Sequence, residues 1–239
     1  MNLDGQAALV TGAGTGIGRE VTCALVEKGM RVALIGRRME KLMESARCCG
    51  DGAPVSCHPV DVTDRISLDT VIKDMVRDLG PVTLLVNNAG INTPIRSVSQ
   101  VNPSDWDRVL AINLTGAFNC IRGVLPLMRE KKEGLIVNIS SIAGVRVSQL
   151  AGAAYTASKH ALMALNQSIN LEEGNNGIRA SAICPGEVDT ELLKFRPEMP
   201  SVDHRERMLS AKDVAAAVLF VASLPSKVCV PELLIQPLR

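Results

Sequence analysis

The sequence has few of the residues on which several classes of binding protein depend. Aromatic residues make up only 2% of its 239 positions, with one tryptophan and one tyrosine, so stacking platforms for bases or sugars are scarce. The 26 lysines and arginines nearly balance the 25 acidic residues, which leaves a formal charge of +1 and no basic surface. These shortages argue against nucleic acid as a partner.

Signals for metal binding and for membranes are scarce as well. The three histidines show no metal-ligand spacing, and none of the seven cysteines forms a Cys-x-x-Cys pair, which predicts reduced thiols and no metal site. No uninterrupted apolar run is long enough to span a bilayer, and the N-terminus lacks the basic and apolar segments of a leader. We therefore expect a soluble, cytoplasmic protein without a membrane partner.

Short apolar runs alternate with helical patterns along the whole chain. The runs are unbroken, which is typical of parallel strands that helices cover on both faces. Asn102-Pro103, and Ser210 with Asp213, are typical helix starts. The pattern predicts one α/β domain over residues 1–239, a doubly wound three-layer sandwich, with strands at 6–10, 32–35, 55–60, 83–86, 135–139, 178–183 and 233–235.

A glycine-rich loop separates the first predicted strand from the first predicted helix. Residues 11–18, Thr-Gly-Ala-Gly-Thr-Gly-Ile-Gly, fit the spacing Thr-Gly-x-x-x-Gly-Ile-Gly and not G-x-G-x-x-G. Glycines there let the backbone turn tightly and let a pyrophosphate approach the free N–H groups of the helix N-terminus. An ordinary glycine-rich turn between a strand and a helix is the alternative.

Tyr155, the one tyrosine of the chain, stands four residues before Lys159. In a helix these two side chains share a face, one turn apart, and the ammonium group favours the phenolate. A tyrosine whose pKa is lowered in this way can serve as an acid or a base near neutral pH. The spacing alone is weak, because chance supplies it often.

Together these motifs resemble a known family. The glycine loop, Asn87-Asn88-Ala89-Gly90, Asn113, Ser141, the pair of Tyr155 and Lys159, and Pro185-Gly186 follow one another as they do in the short-chain dehydrogenase/reductases. The resemblance implies a Rossmann-like fold with a seven-stranded parallel sheet. It also implies NAD(P)-dependent hydride transfer between nicotinamide and a small-molecule carbonyl or secondary alcohol.

The resemblance further implies roles for single residues. Tyr155 would be the general acid in reduction and the base in oxidation, and Lys159 would lower its pKa and hold the nicotinamide ribose. Ser141 would bond the substrate oxygen, although the adjacent Ser140 stays open as an alternative. Asn113 would hold a water that relays protons, or else would simply bond its own helix. The cofactor would also contact Gly12, Gly14, Thr15, Gly16, Ile17, Gly18, Asp61, Val62, Asn88, Ala89, Gly90, Pro185, Gly186, Val188 and Thr190.

The residues after the second predicted strand indicate which nicotinamide cofactor binds. An acid there would bind the ribose hydroxyls and repel a 2′-phosphate, whereas an arginine would pair with that phosphate. Arg37 and Arg38 occupy this place and no acid comes before Glu40, so NADP(H) is expected over NAD(H). A solvated helix start is the alternative, and Thr15 stands where many NADP-preferring relatives carry a basic residue.

The substrate is expected to meet residues 187–208, which form either a mobile lid or a surface loop without contact. Residues 91–96 and 142–150 would supply further walls. Arg96 and Arg146 either attract an anionic substrate or are solvated surface arginines.

Two alternative functions remain open at this stage. A 3-oxoacyl-thioester (acyl-carrier-protein) reductase would need a basic docking surface, for which Lys131-Lys132 is only a hint, and the residues 229–239 lack the tail of that subgroup. A dinucleotide-sensing regulator without turnover is the alternative from another class. The resemblance also implies a homodimer or homotetramer built from helices at 106–129 and 152–171.

Overall fold

A computed structural model describes residues 2–238, in which seven parallel strands form one sheet in the order β3-β2-β1-β4-β5-β6-β7. The prediction of a doubly wound, Rossmann-like seven-stranded sheet is confirmed. The strands are β1 (Ala7–Thr11), β2 (Arg31–Gly36), β3 (Val55–Pro59), β4 (Val82–Asn87), β5 (Gly134–Ile139), β6 (Ile178–Pro185) and β7 (Glu232–Ile235).

Helices connect the strands and cover both faces of the sheet. They are α1 (Gly16–Glu27), α2 (Met39–Cys48), α3 (Arg65–Leu79), α4 (Pro103–Leu110), α5 (Ala117–Lys131), α6 (Ala153–Glu173), α7 (Val202–Glu206) and α8 (Ala211–Ser223). Short 3₁₀ turns lie at Ile142–Gly144, Gly174–Asn176 and Glu191–Phe195.

Successive strand side chains enter two separate apolar cores. Val10 of β1 packs with α1 and α8 on one face, whereas Leu9 packs with α3, α5 and α6 on the other. Both side chains are fully buried. Because each face of the sheet is covered, both sets of alternate residues must be apolar, which explains the unbroken runs in the sequence.

The predicted helix starts are confirmed by their capping bonds. The side chain of Asn102 accepts a hydrogen bond from the Ser104 N–H, with Pro103 in the first helical position. Ser210 and Asp213 form a reciprocal capping box at the start of α8. Each pair satisfies backbone donors that a helix leaves free at its N-terminus.

The sequence predicted one regular helix after Pro103, and this is wrong in one turn. A π-helical segment, Ala111–Gly116, joins α4 to α5. A Cβ atom built on Gly116 would lie 2.4 Å from Cγ2 of Val62, so glycine lets the wider turn approach the residues that follow β3. Segments of this kind occur often at functional sites, and this one contains Asn113.

Within residues 2–238 the continuous helix Pro103–Lys131 is long and apolar enough to cross a membrane, judged by length and composition. In its most apolar window 44% of the residues are buried inside the fold. Core helices pass the same criterion, so one such helix is weak support for a membrane span.

The order of the strands creates a crevice at the carboxyl ends of the central strands, β1 and β4. The order of the strands reverses between β1 and β4: β2 and β3 follow β1 on one side, and β5, β6 and β7 follow β4 on the other. In open parallel sheets the loops at the carboxyl ends of the strands separate at this point and leave room for a ligand.

Candidate active site

A cleft of about 740 Å³ opens at that point, along the carboxyl ends of the strands. Its volume is within the range of about 300–1,000 Å³ typical of ligand pockets. Every cofactor-binding residue expected from the sequence lines it except Gly18, and every expected catalytic residue lines it except Asn113. Both exceptions lie directly behind the wall, as their contacts below show.

The glycine loop forms one end of the cleft, where α1 begins. Gly16 adopts a φ of +53°, a left-handed conformation that favours glycine. A Cβ atom on Gly18 would lie 2.3 Å from the carbonyl oxygen of Gly12, so a side chain there would displace the loop. Within the described chain the side chain of Thr15 makes no capping bond, and the first turn of α1 has no acid. The helix N-terminus is therefore open to an anion.

The residues after β4 tie this loop to the centre of the sheet. The Thr11 hydroxyl accepts hydrogen bonds from the backbone N–H groups of Asn88 and Ala89, each at 3.0 Å. In return, the Asn88 amide donates to the carbonyl oxygens of Thr11 at 3.0 Å and Gly12 at 3.2 Å. These four bonds fix the loops after β1 and β4 against each other and so shape the cleft between them.

Cationic side chains border the cleft beyond β2. Arg37 and Arg38 line it as expected, and both are exposed. Lys41, which the sequence analysis missed, joins them from the first turn of α2, and its Nζ lies 2.8 Å from a carboxylate oxygen of Glu44.

The two serines after β5 point to different places. Both serines line the cleft, but the hydroxyl of Ser140 donates toward the carbonyl oxygen of Lys159 at 3.5 Å, and Ser140 is only 3% exposed. Ser141 lines the cleft and forms a side-chain hydrogen bond with Tyr155. The geometry therefore favours Ser141 over Ser140 as the serine beside the reacting groups.

Tyr155 and Lys159 lie in the first two turns of α6, as the spacing predicted. The Lys159 Nζ is 5.6 Å from the centre of the Tyr155 ring and donates a 2.7 Å hydrogen bond to the carbonyl oxygen of Ile139. Lys159 is only 4% exposed. Burial lowers its pKa to about 8, because desolvation disfavours the charged form.

The expected lowering of the Tyr155 pKa by Lys159 is wrong for this arrangement. Burial raises the pKa of Tyr155, while the hydrogen bond from Ser141 and the positive charge of Arg96 act to lower it. The Lys159 ammonium is directed to the Ile139 carbonyl instead. The phenol is therefore held in its protonated form at neutral pH, which is the form that donates a proton.

Asn113 holds the loop after β4 from behind the cleft. Asn113 is only 1% exposed. Its side-chain oxygen accepts a 2.8 Å hydrogen bond from the Ile91 N–H. Its side-chain amide donates to the Ile91 carbonyl oxygen at 3.0 Å and to the Ser158 hydroxyl at 3.1 Å. The alternative that it bonds its own helix is not what the structure shows. The two bonds to Ile91 orient the backbone beside Gly90, where a Cβ atom would lie 3.7 Å from the Lys159 Nζ.

The residues after β6 cross the cleft from its deep end to the glycine loop. Gly186 donates its N–H to the Ile235 carbonyl at 2.8 Å, and Val188 pairs with Leu209 in an isolated bridge. Thr190 lies close to Gly16, whose built Cβ atom would be 3.4 Å from the Thr190 side chain.

The following turn, with Leu192, Leu193 and Phe195, closes the opposite side of the cleft. Residues of the 187–208 segment therefore do line the cleft, as do Ile91, Arg96, Ile142 and Leu150, whereas Arg146 does not.

The fold and the cleft together define a class of protein. A parallel sheet whose switch-point cleft begins at a glycine-rich helix N-terminus is the arrangement of dinucleotide-binding α/β proteins. The model of the short chain dehydrogenase family matches residues 6–201. The chain therefore belongs to the short-chain dehydrogenase/reductase family and is an oxidoreductase, as the resemblance implied.

Relatives and solved structures agree with this assignment. An uncharacterized oxidoreductase of Staphylococcus aureus strain MW2 is 31% identical, over 98% of each chain. A metagenomic short-chain oxidoreductase in complex with NADP superposes with a TM-score of 0.85 at 30% identity, over 100% of both chains. The alcohol dehydrogenase of the archaeon Thermococcus sibiricus, complexed with 5-hydroxy-NADP, superposes with a TM-score of 0.86 at 27% identity, over 98% of this chain and 97% of that one.

Proposed function

We propose that the protein is an NADP(H)-dependent oxidoreductase that interconverts a carbonyl and a secondary alcohol, with Tyr155 as the general acid and base. The observation that carries the proposal is the position of the Tyr155 hydroxyl. It meets the Ser141 hydroxyl in the same cleft that the glycine loop borders, one helical turn from Lys159. One domain then contains both the cofactor site and the substrate site.

The cleft fits a dinucleotide on three observations. Gly16 and Gly18 occupy positions where a side chain would be strained or would strike the backbone of Gly12, so the loop is open to a pyrophosphate. Arg37, Arg38 and Lys41 supply positive charge beyond β2, which suits a 2′-phosphate. The NADP-bound neighbours support the same choice of cofactor.

The bound nicotinamide supplies or accepts the hydride, and the side chains of the protein manage the proton. In reduction, negative charge grows on the substrate oxygen, which the Ser141 hydroxyl stabilises and to which the Tyr155 hydroxyl gives its proton. The Ser141 hydrogen bond and the charge of Arg96, which act to lower the Tyr155 pKa, stabilise the resulting phenolate. Asn113 keeps the backbone at Ile91 in place beside Lys159 and so positions the site.

Replacing Tyr155 tests this mechanism. Tyr155→Phe removes the one hydroxyl that can transfer the proton, so kcat for carbonyl reduction should fall by a factor of about 10²–10⁴. The NADPH dissociation constant, measured by fluorescence titration, should change little. Thr70→Ala is the matched control, because it also removes one hydroxyl, and Thr70 is exposed on α3 and does not line the cleft. Wild-type kcat in Tyr155→Phe would refute the mechanism.

The same experiment separates the enzyme from a regulator that senses the dinucleotide without turnover. Tight NADPH binding with no oxidation of NADPH across ketones, aldehydes, acyl thioesters and sugars would favour the regulator. For the acyl-carrier-protein role, the residues Lys131 and Lys132 end α5 just before β5 begins, which places them at the edge of the sheet opposite the cleft. That position does not favour docking of a carrier protein at the cleft.

A homo-oligomer built from α5 and α6 is part of the proposal. The apolar side chains of Phe118 on α5 and Leu171 on α6 are 42% and 85% exposed, which supports a covering partner on these helices. Analytical ultracentrifugation should show a dimer or tetramer that Phe118→Arg dissociates. Ile66→Arg, at an 82% exposed position on α3, should leave the assembly intact. A wild-type monomer at micromolar concentration would contradict this part.

A further inference from the structure

Arg96 lies in the wall of the cleft, where three segments meet. Its guanidinium donates hydrogen bonds to the carbonyl oxygens of Thr93 at 2.7 Å and Phe195 at 2.6 Å, and to that of Leu150. These acceptors belong to the loop after β4, the turn beyond β6 and the loop before α6. The side chain is thus fixed in orientation, and its charge reaches Tyr155, whose pKa it acts to lower.

The bonds to the three carbonyls leave part of the guanidinium free. Arginine has five N–H donors, so one N–H on each terminal nitrogen remains after these contacts. Carbonyl oxygens are neutral and do not balance the positive charge. Within residues 2–238 no carboxylate forms an ion pair with Arg96. Burial and the neighbouring Arg196 lower the pKa of Arg96, which shows that its charge is held where solvent compensates it poorly.

Two acids line this part of the cleft: Glu191, which is exposed and forms no ion pair with Arg96 within residues 2–238, and Glu187, which is already engaged. Glu187 is 2.8 Å from Nε2 of His204 and accepts a 3.2 Å bond from Arg196. Across the whole cleft, seven cationic side chains face three anionic ones. The cations beyond β2 would meet the 2′-phosphate of the cofactor, whereas Arg96 lies beside Tyr155 and the 191–195 turn, where its charge is open to a different anion.

We propose that Arg96 binds a carboxylate of the substrate, so that the enzyme acts on oxo acids and hydroxy acids. This inference rests on the proposed function and narrows its substrate class. A carboxylate accepts two parallel N–H bonds from a guanidinium, and the three carbonyl bonds orient Arg96 for it in advance. Because Arg96 lies in one cleft wall with Tyr155 nearby, a bound carboxylate would direct the carbonyl or hydroxyl oxygen of the substrate toward the phenol.

Pairs of acids and their methyl esters test the proposal. Short-chain 2-oxo and 3-oxo acids and the corresponding esters are assayed by NADPH oxidation, and kcat/KM is compared within each pair. The wild-type enzyme should prefer the acid. Arg96→Gln should lower the acid-to-ester ratio of kcat/KM by about 10- to 100-fold, the value of a hydrogen-bonded charge pair. Arg96→Lys, which keeps the charge, should retain part of the preference.

Arg146→Gln is the matched control. Arg146 lies in the loop between β5 and α6, is exposed and does not line the cleft, so its removal changes the charge of the molecule equally. The acid-to-ester ratio should stay at the wild-type value in this variant. Thermal unfolding of each variant shows that the fold is intact.

Two results would overturn the proposal. One is a wild-type preference for esters; the other is an unchanged acid-to-ester ratio in a folded Arg96→Gln, which would make Arg96 a purely structural link between the loops. If neither acids nor esters are turned over, the panel of ketones, aldehydes, acyl thioesters and sugars decides the proposed function, and fluorescence titration of the NADPH complex with the same acids decides the inference separately. Binding that weakens in Arg96→Gln supports it, and absence of binding refutes it.

Discussion

Burial of the Lys159 ammonium lowers the stability of the folded protein. Its ammonium is buried, has one hydrogen bond to the Ile139 carbonyl and has a pKa near 8 in place of 10.5. In the unfolded chain the same group is solvated and keeps its proton to higher pH. Folding at neutral pH therefore includes the cost of desolvating a positive charge.

This cost predicts a pH dependence of stability that Lys159→Met should remove. Below about pH 8 both the folded and the unfolded Lys159 are protonated, and the full penalty is present. Between the folded pKa of about 8 and the unfolded value of 10.5 the unfolded state binds more protons, so the penalty disappears as the pH rises. The free energy of unfolding of the wild type, relative to Lys159→Met, should increase by up to about 3 kcal/mol from pH 7.5 to 10.

Urea unfolding at a series of pH values measures this difference. Lys41→Met is the control, because Lys41 is partly exposed and paired with Glu44, so the stability of the wild type relative to Lys41→Met should show no such rise. A wild type and a Lys159→Met variant that change in parallel across this pH range would contradict the prediction.

The sequence predicted which residues form the site better than it predicted the surroundings of each residue in the fold. Tyr155 and Lys159 were recognisable from their spacing, and Ser141 from the residues that follow it. The direction of the Tyr155 pKa shift was not predictable from the sequence. It depends on how far burial outweighs nearby charges, and burial is a property of the assembled fold. Lys41 escaped notice for a similar reason, since its place in the cleft depends on the angle at which α2 leaves β2.

The glycine loop and α1 form the element whose geometry can be tested most directly. A Cβ atom on Gly18 would lie 2.3 Å from the Gly12 carbonyl oxygen and 2.6 Å from Nδ2 of Asn88, so the loop must move. Gly18→Ala should lower the free energy of unfolding by about 1–3 kcal/mol and should weaken NADPH binding at least several-fold.

The chain offers a matched glycine for this experiment. Gly174 after α6 has a φ of −55°, and a Cβ atom there would meet nothing within 4 Å. Gly174→Ala should stabilise the protein by about 0.4–1 kcal/mol, because it restricts the unfolded chain without strain in the folded one. Urea unfolding and NADPH titration check both variants. Normal NADPH affinity in Gly18→Ala would show that the loop tolerates the side chain.

Element boundaries were largely predictable, and the π-helical segment was not. Capping residues and glycines mark helix ends locally, so Asn102 and Ser210 could be recognised as helix starts from the sequence. The wider turn at Ala111–Gly116 has no local marker of this kind. It is stabilised by contacts from distant segments, among them the bonds of Asn113 to Ile91 and the close approach of Gly116 to Val62.

The whole molecule should respond to its cofactor through stability. A ligand at about 100 times its dissociation constant stabilises the folded state by about 2.7 kcal/mol, which for a chain of this size raises Tm by roughly 5–10 °C. NADPH should produce a shift of this size, and NADH at equal concentration a smaller one, because NADH has no 2′-phosphate for Arg37, Arg38 and Lys41 to bind.

Thermal unfolding with each cofactor measures this preference, together with kcat/KM for NADPH and NADH. Arg38→Glu should reduce the difference between the two cofactors, whereas Arg47→Glu, at the far end of α2, should not. An equal or larger shift with NADH would contradict the choice of cofactor.

The architecture followed from the sequence because parallel sheets are strongly constrained. Unbroken apolar strands must be covered on both faces, and alternating helices supply the cover, so strand number and direction were predictable. The meeting of Thr93, Leu150 and Phe195 at one guanidinium was not. It joins residues about a hundred positions apart through loops that carry no periodic pattern.

The charges that line the cleft also affect how fast a ligand arrives. The chain as a whole has a formal charge of +1, while its cleft has seven cationic side chains against three anionic ones, so the remaining surface is net negative. An anion diffusing toward the protein is repelled by most of the surface and attracted to the mouth of the cleft. The field therefore raises the rate at which an anionic ligand associates with the cleft. Added salt lowers this rate because it screens the field.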